Sequence, residues 1–310
     1  MDVLTDVLQH LRLQSLVYGR MEFSAPWGLR FPDHAGHPHF YLMSRGSCRL
    51  ELDGEPPVEL GQGDLAFLPH GSAHVLRDQA GSKVQASDTV VKGCGEWDGA
   101  RSFQFGGGGA QTALLGGFFR FEQGAFRPFI QSLPKLIQVR EDGKSAPWFD
   151  AVRKLVLAET AEGGPGSKIM VSRLADILFI QALRAHMSEC QSKQGGWIEA
   201  LKDPKVGAVL SLIHQDPGQD WSVESMAEAA GMSRSAFAAR FSALVGEAPL
   251  AYLTRWRMDK AEALLARQEP VGRVAKQVGY ASAAAFSKAF KRRRGLAPGG
   301  LRKAPQKAAA

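Results

Sequence analysis

Residues 221–245 read WSVESMAEAAGMSRSAFAARFSALV, and residues 271–294 read VGRVAKQVGYASAAAFSKAFKRRR. Both segments predict the same plan, in which a helix is followed by a glycine-containing turn and by a second helix that begins at a serine. The turn glycines, Gly231 and Gly279, lie 48 residues apart. Each supplies the backbone freedom that ends one helix and lets the next leave at a steep angle. The repeat therefore predicts two helix-turn-helix units.

The second helix of each unit has a capping residue, because the hydroxyls of Ser233 and Ser282 are suited to accept hydrogen bonds from the first backbone N–H groups. Between the units, residues 252–267 predict one long helix, with Pro249 before it and Pro270 after it. Such a helix would hold the two units at a fixed separation.

Charge divides the chain into two parts. From residue 204 onward there are 17 Lys and Arg against 8 Asp and Glu, whereas the first 203 residues contain 21 against 23. A near-neutral part joined to a strongly basic one indicates a polyanionic partner for the second. A basic surface that only confers solubility is the alternative interpretation.

The basic part resembles the AraC/XylS DNA-binding domain over residues 205–303. Residues 279–298, GYASAAAFSKAFKRRRGLAP, resemble the signature of that family, and residues 232–258, MSRSAFAARFSALVGEAPLAYLTRWRM, are similar to its first unit and linker helix. The resemblance implies a transcription regulator that binds double-stranded DNA at specific sequences and acts as an activator or a repressor.

The resemblance also implies which side chains of the second helices face DNA. Groove-facing positions are Ser235, Ala238, Ala239, Ala283, Ala284, Ser287 and Lys288, and the flanking cations are Arg234, Arg240 and the run 291–294, of which Lys291 and Arg292 are the first two. Long cations reach phosphates or guanine edges, whereas alanine contacts only a thymine methyl group. We therefore expect few direct hydrogen bonds to bases and a larger contribution to specificity from DNA shape. The basic run could also be a solvated helix end. The phenylalanines four residues apart, at 237 and 241 and at 286 and 290, are predicted to be core.

The first part of the chain predicts short strands over residues 38–110 and helices after residue 145. Residues 47–52 alternate apolar and polar side chains before Asp53-Gly54, a hairpin signal, and the glycine run 106–109 predicts a strand connection. Residues 148–159 and 167–187 have helical spacing. The predicted fold is α+β and multidomain: a cupin-like β-barrel with a helix pair over 1–190, a linker over 191–204, the all-α DNA-binding domain over 205–303, and a disordered tail over 304–310.

Residues 63–74, GDLAFLPHGSAH, resemble the second motif of the cupin barrel, G-x5-P-x-G-x2-H. His37 and His39 have the H-x-H form of the first motif, but no Glu follows at the expected distance, and Tyr41 occupies a position where related regulators often carry His. We predict that the barrel responds to a small-molecule or chemical-stress signal and that His39, Tyr41 and His74 contact the unknown small-molecule effector. Protein metal sites need three or four converging ligands, so we predict no metal and no cofactor. Cys48 is predicted to be core, and Cys94 a loop thiol.

Residues 169–183 form a broad apolar stripe on the second helix of the pair. Two alternatives would explain this stripe: it packs against the barrel of the same chain, or it forms a dimer interface. The family resemblance favours a homodimer, with RNA polymerase considered as a further partner.

The three cysteines form no paired framework, no apolar run is long enough to cross a membrane, and the first 19 residues lack the features of a signal peptide. These first residues suggest a short amphipathic helix instead, and the protein is expected to be cytoplasmic and not an enzyme. The alternatives are a cupin-type metalloprotein or enzyme that carries a DNA-binding domain, and a nucleoid-type, non-specific DNA binder.

Overall fold

The computed structural model describes residues 3–5, 13–34, 36–91, 102–121, 130, 132–141, 147–189 and 196–303. The chain divides into two compact units. The sheet unit comprises Leu13–Glu122 and Leu133–Gln191, and the helical unit comprises Ser192–Ala310 together with Met1–Arg12 and Gln123–Ser132. Cys94, Cys190, residues 191–195 of the predicted linker and the predicted tail at 304–310 lie outside the described residues.

Two sheets form the sheet unit. The strands are β1 (Leu13–Ser24), β2 (Gly28–Phe31), β3 (His39–Arg45), β4 (Cys48–Leu52), β5 (Val58–Leu60), β6 (Leu65–Leu68), β7 (His74–Arg77), β8 (Gln85–Ala86), β9 (Ser102–Gly106), β10 (Gln111–Phe121) and β11 (Ile137–Val139). The six-stranded sheet has the order β11-β6-β3-β10-β1-β9, and the five-stranded sheet has the order β5-β4-β7-β2-β8. Because residues 13–19 belong to β1, the helix expected over the first 19 residues is wrong for that part.

The interior between the sheets is filled by side chains that alternate along the strands. Met21, Tyr41, Met43, Leu50 and Leu76 belong to one buried cluster, in which each is at most 5% exposed. Cys48 belongs to the same cluster, and burial raises the pKa of its thiol to about 12. The predicted core position of Cys48 is confirmed.

The glycine run at 106–109 crosses over the end of β1. β9 pairs in parallel with β1 and β10 pairs with it antiparallel, so the chain must pass from one side of β1 to the other in four residues. The N–H groups of Gly107 and Gly109 donate to the carbonyl oxygens of Ser24 and Ala25, both at 2.8 Å. A Cβ at Gly106 would overlap the Ser24 carbonyl oxygen. The close approach of the two backbones therefore requires glycine.

The described residues of the sheet unit form three helices: α1 (Ser87–Val91), α2 (Pro147–Glu162) and α3 (Ser167–Glu189). The helix pair predicted from spacing corresponds to α2 and α3. Phe179 of α3 packs against Phe67 and Phe119, with ring centroids 5.1 Å apart in both cases. No helix in the described parts of the chain is both long and apolar enough to cross a membrane.

Residues 196–303 of the helical unit form eight helices, and both predicted helix-turn-helix units are present. They are α4 (Trp197–Lys202), α5 (Val206–Gln215), α6 (Val223–Ala229), α7 (Arg234–Val245), α8 (Pro249–Ala266), α9 (Val271–Gln277), α10 (Ala283–Arg294) and α11 (Pro298–Lys303). The long linker helix starts at Pro249, three residues earlier than expected, because proline is well accommodated in the first turn of a helix.

Candidate DNA-binding face and effector cluster

The turn and the cap position the second helix of each unit as the sequence indicates. Gly231 and Gly279 have φ angles of +59° and +78°, a left-handed conformation that favours glycine. The hydroxyl of Ser233 accepts from the N–H of Ala236 at 3.3 Å, and that of Ser282 accepts from the N–H of Ala285 at 3.1 Å. The predicted core phenylalanines of both helices are fully buried. Each second helix therefore keeps one face inside and presents the other to solvent.

In the first unit, the predicted groove-facing residues Ser235 and Ala239 are exposed on α7, and Ala238 is half-buried. Arg234 is exposed and forms an ion pair with Glu224, with 2.9 Å between Nε and Oε1. The exposed face of α7 carries small side chains, so the backbone of a partner molecule can approach the helix closely.

Arg240 has a structural partner that the sequence did not reveal. Its Nε donates to Asp203 Oδ2 at 2.9 Å, and a second guanidinium nitrogen contacts the same oxygen. Asp203 also accepts from the N–H groups of Lys205 and Val206 at the start of α5. Burial alone would raise the pKa of Asp203, but the hydrogen bonds from Arg240 and these N–H groups hold it below its ordinary value. A phosphate contact by Arg240 would have to compete with this carboxylate.

In the second unit, Ala283, Ala284 and Lys288 are exposed on α10, and Ser287 is half-buried. Lys291, Arg292 and Arg293 are exposed beyond them. Three consecutive exposed cations at the end of this helix are available to a polyanion.

Arg294 differs from the three cations before it. Its guanidinium contacts Asp259 of α8, and its Nε lies 3.0 Å from Glu262 Oε2. The side chain of Asp259 is 2% exposed and also lies 3.6 Å from Arg255. Burial raises the pKa of Asp259 to about 6 although both arginines act to lower it. Arg294 thus joins α10 to the linker helix through ion pairs, and of the predicted DNA-facing run 291–294 only the first three cations are exposed. The i,i+4 spacing of Arg255 and Asp259 on one helix is the sequence feature from which this one ion pair could have been predicted.

The structure brings His39, Tyr41 and His74 together. The Nδ1–H of His74 donates to the Ser72 carbonyl oxygen at 2.8 Å, so its Nε2 accepts from the Tyr41 hydroxyl at 2.7 Å. The ring centroids of His39 and His74 are 5.5 Å apart, and the ring of Phe31 stacks on His74 at 4.9 Å. These three predicted effector residues, named here the effector cluster, are 0–2% exposed.

Burial keeps both histidines of the effector cluster neutral. It lowers the pKa of His39 to about 3, helped by the neighbouring His74, His34 and His37, and it lowers the pKa of His74 to about 4 against the opposing hydrogen bond to Ser72. Among the described residues, no group of three or more His, Cys, Asp or Glu side chains is arranged to hold a metal ion. A ligand that reached the effector cluster would have to displace packed side chains such as Phe31.

Comparison with known proteins agrees with this architecture. Residues 2–188 match the cupin family model, and residues 226–304 match a helix-turn-helix domain model. Proteins of Streptomyces lividans and Streptomyces antibioticus described as AraC-like transcription regulators are each 34% identical to this chain, over 98% of it and 99% of their own lengths. The transcriptional regulator AlkR of Acinetobacter baylyi is 30% identical over 94% of this chain and 96% of its own length.

Proposed function

This chain belongs to the AraC-like transcription regulators that carry an N-terminal cupin domain, and we propose that it recognises its operator with α7 and α10 together. It is a DNA-binding regulator, and the helical unit is its DNA-binding part. The observation that supports joint recognition is the duplication of one geometry: a left-handed glycine, a serine cap, a buried phenylalanine pair and an exposed face of small residues.

The exposed side chains of α7 and α10 form two groups, one that contacts base edges and one that contacts phosphates. Ser235 and Lys288 have polar atoms available to base edges, while Ala239, Ala283 and Ala284 allow close approach and thymine contact. Lys291, Arg292 and Arg293 reach phosphates, which supply affinity and register rather than sequence information. Arg234 is a further phosphate ligand, because its partner Glu224 is itself 58% exposed and the pair is weak in water.

A binding experiment with the full-length protein tests this proposal. Its sites are first mapped across the genome, and the fluorescence anisotropy of a mapped duplex is then compared with that of a scrambled duplex of equal length. With about 6–8 phosphate contacts, log K should fall against log salt with a slope of roughly −5 to −7. Lys154→Ala, which removes an exposed cation from α2 of the sheet unit, is the matched control and should leave the slope unchanged.

Two outcomes would contradict the proposal. A slope of log K against log salt near zero would mean that the cations of the helical unit do not bind DNA phosphates. Equal affinity for the scrambled duplex would favour a non-specific, nucleoid-type binder. Transcription in vitro from a mapped promoter would then separate activation, which requires productive contact with RNA polymerase, from repression. Binding to chromosomal DNA implies a cytoplasmic site of action.

Dimerisation through the helix pair is the second part of the proposal. Leu174, Leu178 and Leu183 of the apolar stripe are at most 9% exposed, whereas Ile169 and Ile177 are 69% and 39% exposed. Met170 and, on the adjacent α2, Leu155 add two further exposed apolar side chains. A second copy of this surface is its self-complementary partner, as in an isologous interface.

The sheet unit is proposed to receive the signal and to have no catalytic role. Its effector cluster senses a ligand only if the packing around Phe31 and His74 rearranges. Elemental analysis of the purified protein distinguishes this proposal from a cupin-type metalloenzyme, which would retain a stoichiometric metal.

A further inference from the structure

The outer face of the six-stranded sheet carries a cleft of about 450 Å³ beneath α2. We propose that this cleft, rather than the barrel interior, binds the signal, and that the signal is a small organic carboxylate. This inference rests on the proposed function as an effector-controlled regulator. A cleft of this volume lies within the range of roughly 300–1,000 Å³ that is usual for small-molecule sites.

Strand register places the floor of the cleft on the outside of the barrel. Arg20 of β1 pairs with Leu115 of β10, and both line the cleft. Their neighbours Met21 and Leu114 belong to the interior cluster. Because successive side chains of a strand point to opposite faces, Arg20 and Leu115 point outward, toward α2. The effector cluster therefore takes no part in this site.

Two cations give the cleft its charge. Arg20 and Arg45 both line it. Arg20 lies 2.9 Å from Glu22 Oε1, and Arg45 donates to the uncharged amide oxygen of Gln111 at 2.6 Å. The lining residues include two guanidinium groups and no carboxylate, and of the two only Arg20 is paired with a carboxylate, which leaves a net positive charge that an anion would neutralise.

Two buried side-chain groups at the cleft can donate a hydrogen bond but have no acceptor. The Nε of Arg20 and the Oγ of Ser44 are both inaccessible to solvent and have no hydrogen-bond partner among the described residues. Buried donors in folded proteins are nearly always paired, and an unpaired one costs stability. A ligand oxygen that reached the Nε of Arg20 or the Oγ of Ser44 would supply the missing acceptor, which requires a small shift of the side chains that now cover these atoms.

The remaining walls determine the chemical class of the ligand. Leu115, which is 1% exposed, and Leu157 and Ala161 of α2 provide an apolar side to the cleft. A planar guanidinium matches a carboxylate in a bidentate geometry. An organic acid with an apolar body would contact both sides of the cleft, whereas inorganic phosphate would make no contact with the apolar side.

The position of the cleft connects ligand binding to the proposed dimer surface. Leu157, Thr160 and Ala161 come from the last turns of α2, and the exposed Leu155 lies on the same helix. The Thr160 hydroxyl donates a hydrogen bond shared between the carbonyl oxygens of Val156 and Leu157, at 2.8 and 3.0 Å. A ligand that fixed this end of α2 would alter how the helix pair presents its apolar side chains to a second copy.

Calorimetric titration and thermal unfolding of the full-length protein test this inference. The probes are cyclohexanecarboxylate and 3-phenylpropionate, each compared with its neutral amide. The carboxylates should bind and raise the unfolding temperature, and the amides should not. Arg20→Gln and Arg45→Gln should each raise Kd about tenfold or more, because each removes a charge-assisted contact. Arg30→Gln, an exposed arginine on β2 of the other sheet, is the matched control and should leave Kd unchanged.

Several outcomes would overturn the inference: no binding of either carboxylate, equal binding of the amides, unchanged Kd in both cleft variants, or tighter binding of inorganic phosphate. If Arg20→Gln fails to fold, the exposed Arg45→Gln decides alone, with circular dichroism confirming its fold. DNA binding is measured separately on the same samples. Carboxylate binding without operator binding would refute the proposed function and leave the cleft assignment intact, and the reverse result would refute only the cleft.

Discussion

Lys291→Ala and Arg294→Ala remove two cations that are three residues apart on α10, and we expect defects of different kinds. Lys291 is exposed and has no ion pair among the described contacts. Arg294 is 18% exposed and bound to Asp259 and Glu262. Loss of Lys291 should weaken DNA binding without affecting folding. Loss of Arg294 should leave the buried carboxylate of Asp259 with only the more distant Arg255, at 3.6 Å, and should destabilise the helical unit.

The magnitudes of the two effects separate them. Loss of one phosphate contact lowers the salt slope by about 0.9, so the affinity defect of Lys291→Ala should be about three- to fourfold greater at 50 mM than at 200 mM salt. Breaking a buried ion pair costs about 3–5 kcal/mol, and the 2% exposure of the Asp259 side chain places it in that class. The pKa of Asp259 is already raised to about 6, and loss of Arg294, which acts to lower it, raises it further, so protonation should relieve more of this cost at pH 5 than at pH 8.

Two assays measure these effects: operator anisotropy against salt, and urea unfolding of both variants at pH 5 and pH 8. Asp259→Asn combined with Arg294→Ala is the matched control, because removing both charges should recover much of the lost stability. Two results would refute the reasoning. One is a folded Arg294→Ala protein with normal stability and a salt slope lowered by about one, and the other is a Lys291→Ala protein with an unchanged slope.

Three further predictions follow from the other contacts. Ser235→Ala and Lys288→Ala should each change which base pairs are preferred at one position of the operator, as measured by selection from randomised duplexes; a uniform loss for all sequences would contradict their assignment to base edges. Ile177→Asp would place two like charges at a twofold interface and should give a folded monomer by sedimentation and circular dichroism, with weaker binding to a paired operator and little change on a half-site; a folded dimer would refute the proposed surface. Because His39 and His74 stay neutral in the fold down to about pH 3 and 4 but accept protons near pH 6.5 when unfolded, the stability of the sheet unit should be complete above pH 6.5 and fall below it by about 1.4 kcal/mol per pH unit for each histidine. A His74→Gln variant should lose about half of that slope in acid unfolding experiments, and an unchanged slope would exclude this cause.

Local signals in the helical unit could be predicted from sequence because they act within a few residues. Gly231 and Gly279 mark turns through their own φ angles, and Ser233 and Ser282 cap helices through N–H groups three residues later. The short strands β4 to β7 were predicted for a similar reason, since alternation and turn residues are local features. The fold class, family and general function are accordingly confirmed.

The contacts that could not be predicted join residues far apart in the chain. Arg294 looks like part of a basic run until Asp259, 35 residues earlier, is placed beside it. Arg240 has the same relation to Asp203, 37 residues away. Sequence also gave no reason to connect Arg20 with Ser44 and α2, because that cleft depends on strand register. Charge alone therefore does not distinguish a phosphate ligand from a structural cation.

The side chains that reach base edges bear on whether one copy of the chain is enough for specificity. Each good base contact discriminates by about 1–3 kcal/mol. With Ser235 and Lys288 as the exposed polar readers of the two helices, one protomer obtains at most about 2–6 kcal/mol. Specific binding typically exceeds non-specific binding by about 4–10 kcal/mol. Two protomers on a paired site, with about 4–12 kcal/mol, span that range through direct contacts, whereas one protomer reaches only its lower part and requires DNA shape for the rest. A dimer joined through α3 is therefore the arrangement that an alanine-rich pair of reading helices favours, and Ile177→Asp tests it: if that monomer retained full discrimination on a half-site, shape readout would be the main source of specificity.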